Sequence, residues 1–119
     1  MGARTFDEAD LPLSEQSCRV CRSGARPLSR IDCQELIKLL PFWGISTSGK
    51  LTREYSFPNY SQALSWVNKI SEVAESENHH PDVTLKWGSV IVEIWTHTVG
   101  GLTENDFILA AKFDSLEVT

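Results

Sequence analysis

The sequence predicts an α+β fold, a four-stranded antiparallel sheet made from two hairpins with three helices packed on one face. Two segments read as paired strands around a short turn, FWGISTSGKLTREYSF at 42–57 and VTLKWGSVIVEIWTH at 83–97. Segments with helical periodicity precede each hairpin and follow the second, which gives the order α-β-β-α-β-β-α. Two hairpins can join into one sheet, and the helices then bury its apolar face.

The chain divides into a short leading segment and one domain. Residues 1–28 mix charged and small residues without periodicity and include proline and glycine, so we expect a flexible N-terminal segment. Residues 29–119 are expected to form a single α+β domain, which is long enough to bury one modest core.

Capping residues and prolines mark the ends of the first two helices. Ser29 or Asp32 can cap the first helix, and Pro41 ends it. Asn59 is the expected N-cap of the second helix, whose apolar residues recur at steps of three and four. The second helix is expected to end near residues 77–78, because a proline follows at position 81.

The second hairpin and the last helix supply much of the predicted core. The strand after the turn at 88–89 alternates between an aliphatic face that ends in Thr96 and a face that ends in His97. A last helix is expected to open at Thr103 and to run to about residue 116. Its expected apolar face comprises Phe107, Ala110 and Ala111, with Phe113 at the flank.

Composition narrows the class of function. A formal charge of −5 and a pI of about 5.1 argue against binding of duplex nucleic acid, which usually needs a basic face. No apolar run approaches the ~20 residues that span a bilayer, and the acidic N-terminus is unlike a signal or transit peptide. We therefore expect a cytoplasmic protein that binds neither nucleic acid nor a membrane.

The three cysteines do not make an even disulfide framework. Cys18 and Cys21 have the C-x-x-C spacing of a zinc half-site, but no second pair follows and Cys33 stands alone. The simplest interpretation is a reduced dithiol in the flexible segment, and a metal half-site or a redox pair stays open.

All three histidines fall near one rim of the predicted sheet. His79 and His80 occupy a loop stiffened by Pro81, and the second hairpin brings the end of its last strand, with His97, back to that loop. A zinc site, ordinary surface histidines and metal-free acid–base catalysis are the three interpretations. The spacings usual in zinc sites are absent, whereas imidazole titrates near neutrality and can donate or accept a proton.

A motif of seven residues at fixed spacing extends from the end of the second predicted helix into the last one. Its members are Glu75, His79, His80, Pro81, Trp87, His97 and Asp106. The ending THTVGGLTENDFILAAKFD, the lead CRVCRSGARPLSR and the Trp43-Gly44 strand accompany them. Together these features resemble the pterin-4a-carbinolamine dehydratase family, and the lead is similar to that of its microbial members. The resemblance covers about residues 18–118, and the family's fold agrees with the order of elements inferred from the residues.

The resemblance implies a lyase that dehydrates 4a-hydroxytetrahydropterin to quinonoid dihydropterin and water. The reaction belongs to the recycling of the pterin cofactor of aromatic amino-acid hydroxylases, so a functional link to such a hydroxylase is implied. The pterin is the substrate, and no metal, redox cofactor or covalent nucleophile is expected. Some family members act as coactivators or assembly factors, so a non-catalytic binding module is the alternative.

The resemblance also implies roles for the histidines and their neighbours. His79 and His97 are expected to be the catalytic acid–base pair, and His80 is expected to bind and orient the pterin. Glu75 lies one turn before His79, so it is expected to hydrogen-bond that ring and raise its basicity, unless it is only a solvated carboxylate. Asp106 fits either a helix cap or a place in the chemistry, and both roles stay open.

Two further positions complete the expected substrate-binding set. Pro81 is expected to stiffen the loop rather than to react. Trp87, together with Trp95, could form an aromatic wall for a flat heterocycle, although tryptophans in strands more often pack in a core.

The predicted sheet has two open edges, which invite pairing with another chain. Family members form dimers or tetramers. We therefore expect a homodimer or homotetramer.

Overall fold

The computed structural model describes residues 11–18 and 26–116, and within them the predicted fold class is confirmed. The helices are α1 (Arg30–Ile37), α2 (Tyr60–Glu77) and α3 (Glu104–Asp114). The strands are β1 (Gly44–Ile45), β2 (Leu51–Ser56), β3 (Asp82–Lys86) and β4 (Ser89–Ile94). A short 3₁₀ turn, Leu13–Glu15, precedes them. None of the helices in the described ranges is long and apolar enough to cross a membrane.

The two hairpins join into one antiparallel sheet with the strand order β1-β2-β4-β3. Strands β2 and β4 pair along their whole length, from Leu51 opposite Ile94 to Ser56 opposite Ser89. Strands β1 and β3 are therefore the outer strands of the sheet. The alternation predicted for β4 is confirmed, because Val90, Val92 and Ile94 are all fully buried.

The helices cover the face of the sheet that carries these aliphatic residues. Helix α2 buries one side, formed by Ala63, Trp66, Ile70 and Ala74. Helix α3 is buried along most of its circumference, because the described N-terminal residues pack on it from outside the sheet. Its buried residues therefore extend beyond the predicted face and include Ile108 and Leu109.

The ends of the helices follow the predicted caps with small differences. Ser29 rather than Asp32 caps α1, and the Asn59 side chain caps α2 by accepting from the Gln62 N–H at 2.8 Å. Helix α1 ends at Ile37, earlier than Pro41, and α3 ends two residues before the predicted position 116.

The last strand ends earlier than the sequence predicts. Strand β4 stops at Ile94, and Thr96 forms only an isolated bridge with Gly101. The chain turns over residues 97–100, so His97 lies in a turn and not at a strand end. The tight return to α3 breaks the pairing, because the chain must reverse within a few residues to reach the helix.

Part of the leading segment packs on the domain. The Lys112 ammonium donates to the Ser14 carbonyl at 3.0 Å, and the Cys18 N–H donates to Glu77 at 2.8 Å. Cys21 lies outside the described residues, so the geometry of the predicted C-x-x-C pair and the flexibility of residues 1–28 stay predictions. The thiols of Cys18 and Cys33 are free.

Candidate active site

One cavity of about 510 Å³ is lined by all three histidines. Two loops form most of its wall: the connection from α2 to β3, with His79, His80 and Pro81, and the segment 95–98 that follows β4. Asn105 from the first turn of α3 and Cys18 from the N-terminal segment also line it. The fold therefore brings the three histidines together at one rim of the sheet, as the sequence predicts.

Local backbone geometry explains why the two loops meet. Asn78 ends α2 in the left-handed conformation, with φ of 51°, which turns the chain out of the helix. Strand β3 then starts at Asp82, which pairs with Glu93 near the end of β4. The start of β3 and the end of β4 are neighbours in an antiparallel pair, so the loops that flank them share one end of the sheet.

His79 is the most tightly held of the three histidines. Its Nε2 lies 2.6 Å from Asp106 Oδ1, and its side chain is 13% exposed while that of Asp106 is 0% exposed. An ionised carboxylate can only accept, so the ring donates from Nε2 and a neutral His79 keeps its lone pair on Nδ1.

The second oxygen of Asp106 is also fully used. Its Oδ2 accepts from the Thr103 N–H at 2.8 Å, which makes the capping box of α3, and from the Thr96 hydroxyl at 2.9 Å. Three donors offset the cost of burying this carboxylate. The capping role predicted for Asp106 is therefore present, and the same side chain also orients His79.

His80 is held by a different carboxylate in a more open setting. Its Nε2 lies 2.8 Å from Glu75 Oε2, and the two side chains are 55% and 81% exposed. The expectation that Glu75 would orient His79 is thus wrong. The two adjacent rings therefore contact carboxylates on different helices, His80 on α2 and His79 on α3.

His97 lies in the turn after β4 and stacks on Trp95. The two ring centroids are 4.0 Å apart, with 35° between the planes. The Lys50 ammonium lies 5.0 Å from the centroid of the Trp95 indole. The indole Nε1–H donates to Asp82 Oδ2 at 3.4 Å. Trp95 therefore supports one wall of the cavity.

The remaining predicted binding residues divide into two groups. Pro81 lines the cavity, and Glu75 reaches it only through its contact with His80. Trp87 lies in the turn between β3 and β4, is 69% exposed and is not part of the lining. The five-residue strand β3 separates that turn from the histidine loop by about 17 Å, at ~3.3 Å per residue.

Sequence reasoning missed several residues that line the cavity, among them Cys18, Glu77 and Asn105. The pKa of the Cys18 thiol is raised to about 12, chiefly by burial and then by the nearby Glu77 carboxylate. The C-x-x-C spacing marks Cys18 as unusual, but no local pattern in the sequence indicates that it reaches the histidines.

Across 11–18 and 26–116, no group of three or more His, Cys, Asp or Glu side chains is arranged to hold a metal ion. The hydrogen bond between His79 and Asp106 joins an imidazole to a buried carboxylate, and imidazole is a side chain that can donate or accept a proton.

Comparisons with known proteins show which family this chain resembles. The profile of the family described as Pterin 4 alpha carbinolamine dehydratase matches residues 26–116. A Rickettsia bellii protein, provisionally named a pterin-4-alpha-carbinolamine dehydratase, is 47% identical over 106 residues, which are 88% of this chain and 94% of the relative. A Halorhodospira halophila protein with the same provisional name is 42% identical over 107 residues, 89% of this chain and 98% of the relative.

A solved structure extends the comparison to the fold. The crystal structure of a transcriptional coactivator/pterin dehydratase from Brucella melitensis matches with a TM-score of 0.70 at 26% identity. The match covers 76% of this chain and 97% of that chain. The family profile and the similarity over most of the chain confirm the predicted resemblance: this protein belongs to the pterin 4 alpha carbinolamine dehydratase family, a family of lyases.

Proposed function

We propose that this protein dehydrates 4a-hydroxytetrahydropterin to quinonoid dihydropterin in the histidine cavity. The single observation that supports the proposal is the placement of His79, fixed on the buried Asp106, in the same cavity as His97. The reaction needs one group that removes a proton and one that supplies a proton, and two imidazoles can fill these roles at one pH.

His79 is the proposed general base. Its Nε2–H is committed to Asp106, so Nδ1 is the nitrogen with a lone pair free to accept a proton. In the proposed step Nδ1 takes the proton from N5 of the pterin. The electron pair of the N5–H bond forms the double bond between N5 and C4a.

His97 is the proposed general acid. As the double bond forms, the bond from C4a to the hydroxyl oxygen breaks, and a protonated His97 supplies the proton that lets this oxygen leave as water. The contact with Trp95 limits the rotation of the His97 ring, so the proton-donating nitrogen has fewer orientations available. No electron acceptor or covalent nucleophile is needed for this balance.

His80 is proposed to bind and orient the pterin rather than to transfer its proton. It lines the cavity, and among the described residues its ring is hydrogen-bonded to the exposed Glu75. Pro81 is proposed to fix the backbone of this loop, because its ring restricts both its own φ and the geometry of the preceding residue.

The test is a dehydration assay on purified, chelator-treated protein with 4a-hydroxytetrahydropterin generated by a hydroxylase. We expect the hydroxypterin to disappear well above its spontaneous rate, without added metal. Loss of this activity on chelation and its return with zinc would contradict the metal-free mechanism. A folded protein that fails to accelerate dehydration at all would contradict the proposed function.

A place in pterin recycling follows from the product. Quinonoid dihydropterin is two electrons more oxidised than a tetrahydropterin, so a reductase must consume it and a pterin-dependent hydroxylase must supply the substrate. We propose a functional link of this kind with an aromatic amino-acid hydroxylase. The free thiols of Cys18 and Cys33 fit a reducing, cytoplasmic compartment.

Self-association is proposed through an outer strand of the sheet. Strand β3 pairs only with β4 among the described strands, so its other edge can pair with a second copy. Light scattering at micromolar concentration should give the mass of a dimer or a tetramer. A strictly monomeric mass would contradict this proposal without affecting the chemistry.

A non-catalytic binding role is the second candidate, because the Brucella protein is described as a transcriptional coactivator as well as a pterin dehydratase. The dehydration assay separates the two candidates. A purely binding protein would leave the spontaneous rate unchanged and would tolerate replacement of His79.

A further inference from the structure

The N-terminal strap, which we define as residues 11–18, runs along α3 in the opposite direction to that helix. Ser14 contacts Lys112 near the end of α3, whereas Cys18 Sγ lies 3.6 Å from the Asn105 carbonyl oxygen at its start. The helix rises about 10 Å over this stretch, and the four residue steps from Ser14 to Cys18, which leave the 3₁₀ turn at Gln16, can cover at most about 13 Å. The strap therefore spans most of α3 and ends at the cavity.

A second anchor joins the end of the strap to the helix that precedes the histidines. The Cys18 N–H donates to Glu77 Oε1 at 2.8 Å. Glu77 is the last residue of α2, two positions before His79. A hydrogen bond to an ionised carboxylate is among the stronger kinds, so this contact can fix the end of the strap against the histidine loop.

The side chain of Cys18 lines the cavity together with the three histidines. Burial and Glu77 raise the pKa of its thiol to about 12. A thiol with a raised pKa stays largely protonated near neutral pH and therefore reacts slowly as a nucleophile. A neutral cysteine behaves as a small, weakly polar surface, which suits contact with a substrate.

We propose that Cys18 contacts the substrate as a wall of the cavity, and that Glu77 is the positioning residue that holds this wall in place. Together they limit the size of the pterin side chain that the cavity accepts. The inference rests on the proposed function, because it takes a pterin as the occupant. It assigns a role in substrate selection to the strap, which the sequence alone places in a flexible segment.

A wall contact acts on binding more than on chemistry. It is made equally with the bound substrate and with the transition state, so its loss changes KM while kcat stays nearly constant. A large residue at position 18 should narrow the cavity, and loss of the Glu77 carboxylate should release the strap. Glu77→Gln keeps a side-chain oxygen that can accept from the Cys18 N–H, so this variant should keep the strap in place and have a KM near that of the wild type.

The first experiment compares two 4a-hydroxytetrahydropterins, one with a methyl group and one with a dihydroxypropyl group at C6. For Cys18→Trp we expect KM to rise about tenfold for the larger substrate and less for the smaller one, with kcat within about twofold. Glu77→Ala should raise KM for both, and Glu77→Gln and Cys18→Ser should stay near wild type. Glu72→Ala, an exposed carboxylate on the same helix, is the matched control.

The second experiment does not depend on turnover. In a variant carrying Cys21→Ser and Cys33→Ala, the alkylation rate of Cys18 by iodoacetamide is measured with and without a tetrahydropterin that lacks the 4a-hydroxyl. We expect the pterin to slow alkylation at least about fivefold by covering the thiol, and Glu77→Ala to speed alkylation without pterin.

The outcomes separate this inference from the proposed function. Two results would contradict the wall role alone. One is an active wild type together with a Cys18→Trp variant of unchanged KM, and the other is an alkylation rate of Cys18 that stays the same when the pterin is bound. A wild type that neither dehydrates nor binds the pterin overturns both. Selective loss of affinity for the larger substrate, together with protection of Cys18, supports the proposal.

Discussion

Two adjacent histidines of the site are held in contrasting ways. His79 is nearly buried, and its partner Asp106 is tied down by a helix cap and a threonine hydroxyl. His80 is half-exposed, and its partner Glu75 is a long side chain open to solvent. The same residue type, one position apart, thus has a rigid partner in the interior and a weak partner at the surface. The two rings are chemically identical, so any difference in their roles must come from these surroundings. The rigid setting of His79 suits its proposed role as the base, and the open setting of His80 suits its proposed role in binding the pterin.

The largest effect is expected from His79→Ala. Removal of a proton-transfer group typically costs about 10²–10⁴-fold in rate, so kcat should fall by that factor. Steady-state kinetics measures the loss, and circular dichroism with a melting curve checks that the variant is folded. A folded His79→Ala protein with the wild-type rate would remove the central residue of the mechanism.

Asp106→Ala should affect both stability and rate, because one carboxylate caps α3 and holds His79. Loss of the cap and of the buried hydrogen bonds should lower the free energy of unfolding by about 2–4 kcal/mol. The kcat should also fall, by about tenfold or more, since the ring loses its fixed orientation.

Asp114→Ala is the matched control for that change. Asp114 also lies on α3 and accepts from Trp43 and Arg53, but these contacts are not part of the cavity lining. It should lower the melting temperature while kcat stays near wild type. If Asp106→Ala behaves in the same way, its carboxylate is only a cap.

His80→Ala should act mainly on KM, with a rise of about tenfold and kcat within about threefold. Glu75→Ala should have a smaller effect, because exposed charged pairs contribute only about 0.2–1 kcal/mol. Substrate titrations on both variants measure these changes. A drop in kcat for His80→Ala as large as that for His79→Ala would erase the contrast between the two rings.

The smallest effect is expected from Trp87→Ala, which tests the assignment carried over from the family signature. Trp87 lies at the turn end of the β3–β4 hairpin, away from the histidine loop. Kinetic constants should stay within about twofold of wild type if the subunit acts alone. A clear rise in KM would show that Trp87 contacts a substrate site that is not the cavity of its own chain, such as the cavity of a second copy.

Local patterns in the sequence were enough for the elements and for the rim at which the histidines meet. The N-cap Asn59 and the alternating residues of β4 depend on neighbours along the chain or across one hairpin, so periodicity and capping rules identify them. The rule that antiparallel neighbours share an end of the sheet then places the histidine loops together.

Partner choice within the site could not be predicted in the same way. Glu75 is closer in sequence to His79 than Asp106 is, yet the approach of α3 to the end of α2 supplies the nearer carboxylate. Cys18 reaches the cavity through Glu77, 59 positions later, and no spacing rule covers such a separation. Both contacts depend on how whole helices pack, and a single sequence does not specify that packing locally.

The double use of Asp106 has a consequence for how the protein loses activity on heating. The carboxylate that starts α3 is also the one that aims His79, so the site cannot persist in a partly melted molecule that has lost the first turn of this helix. On heating, activity should therefore be lost at or below the temperature at which the start of α3 unfolds. No temperature should exist at which this first turn is open and the protein still turns over substrate. A working enzyme would therefore report directly that this end of the core is intact.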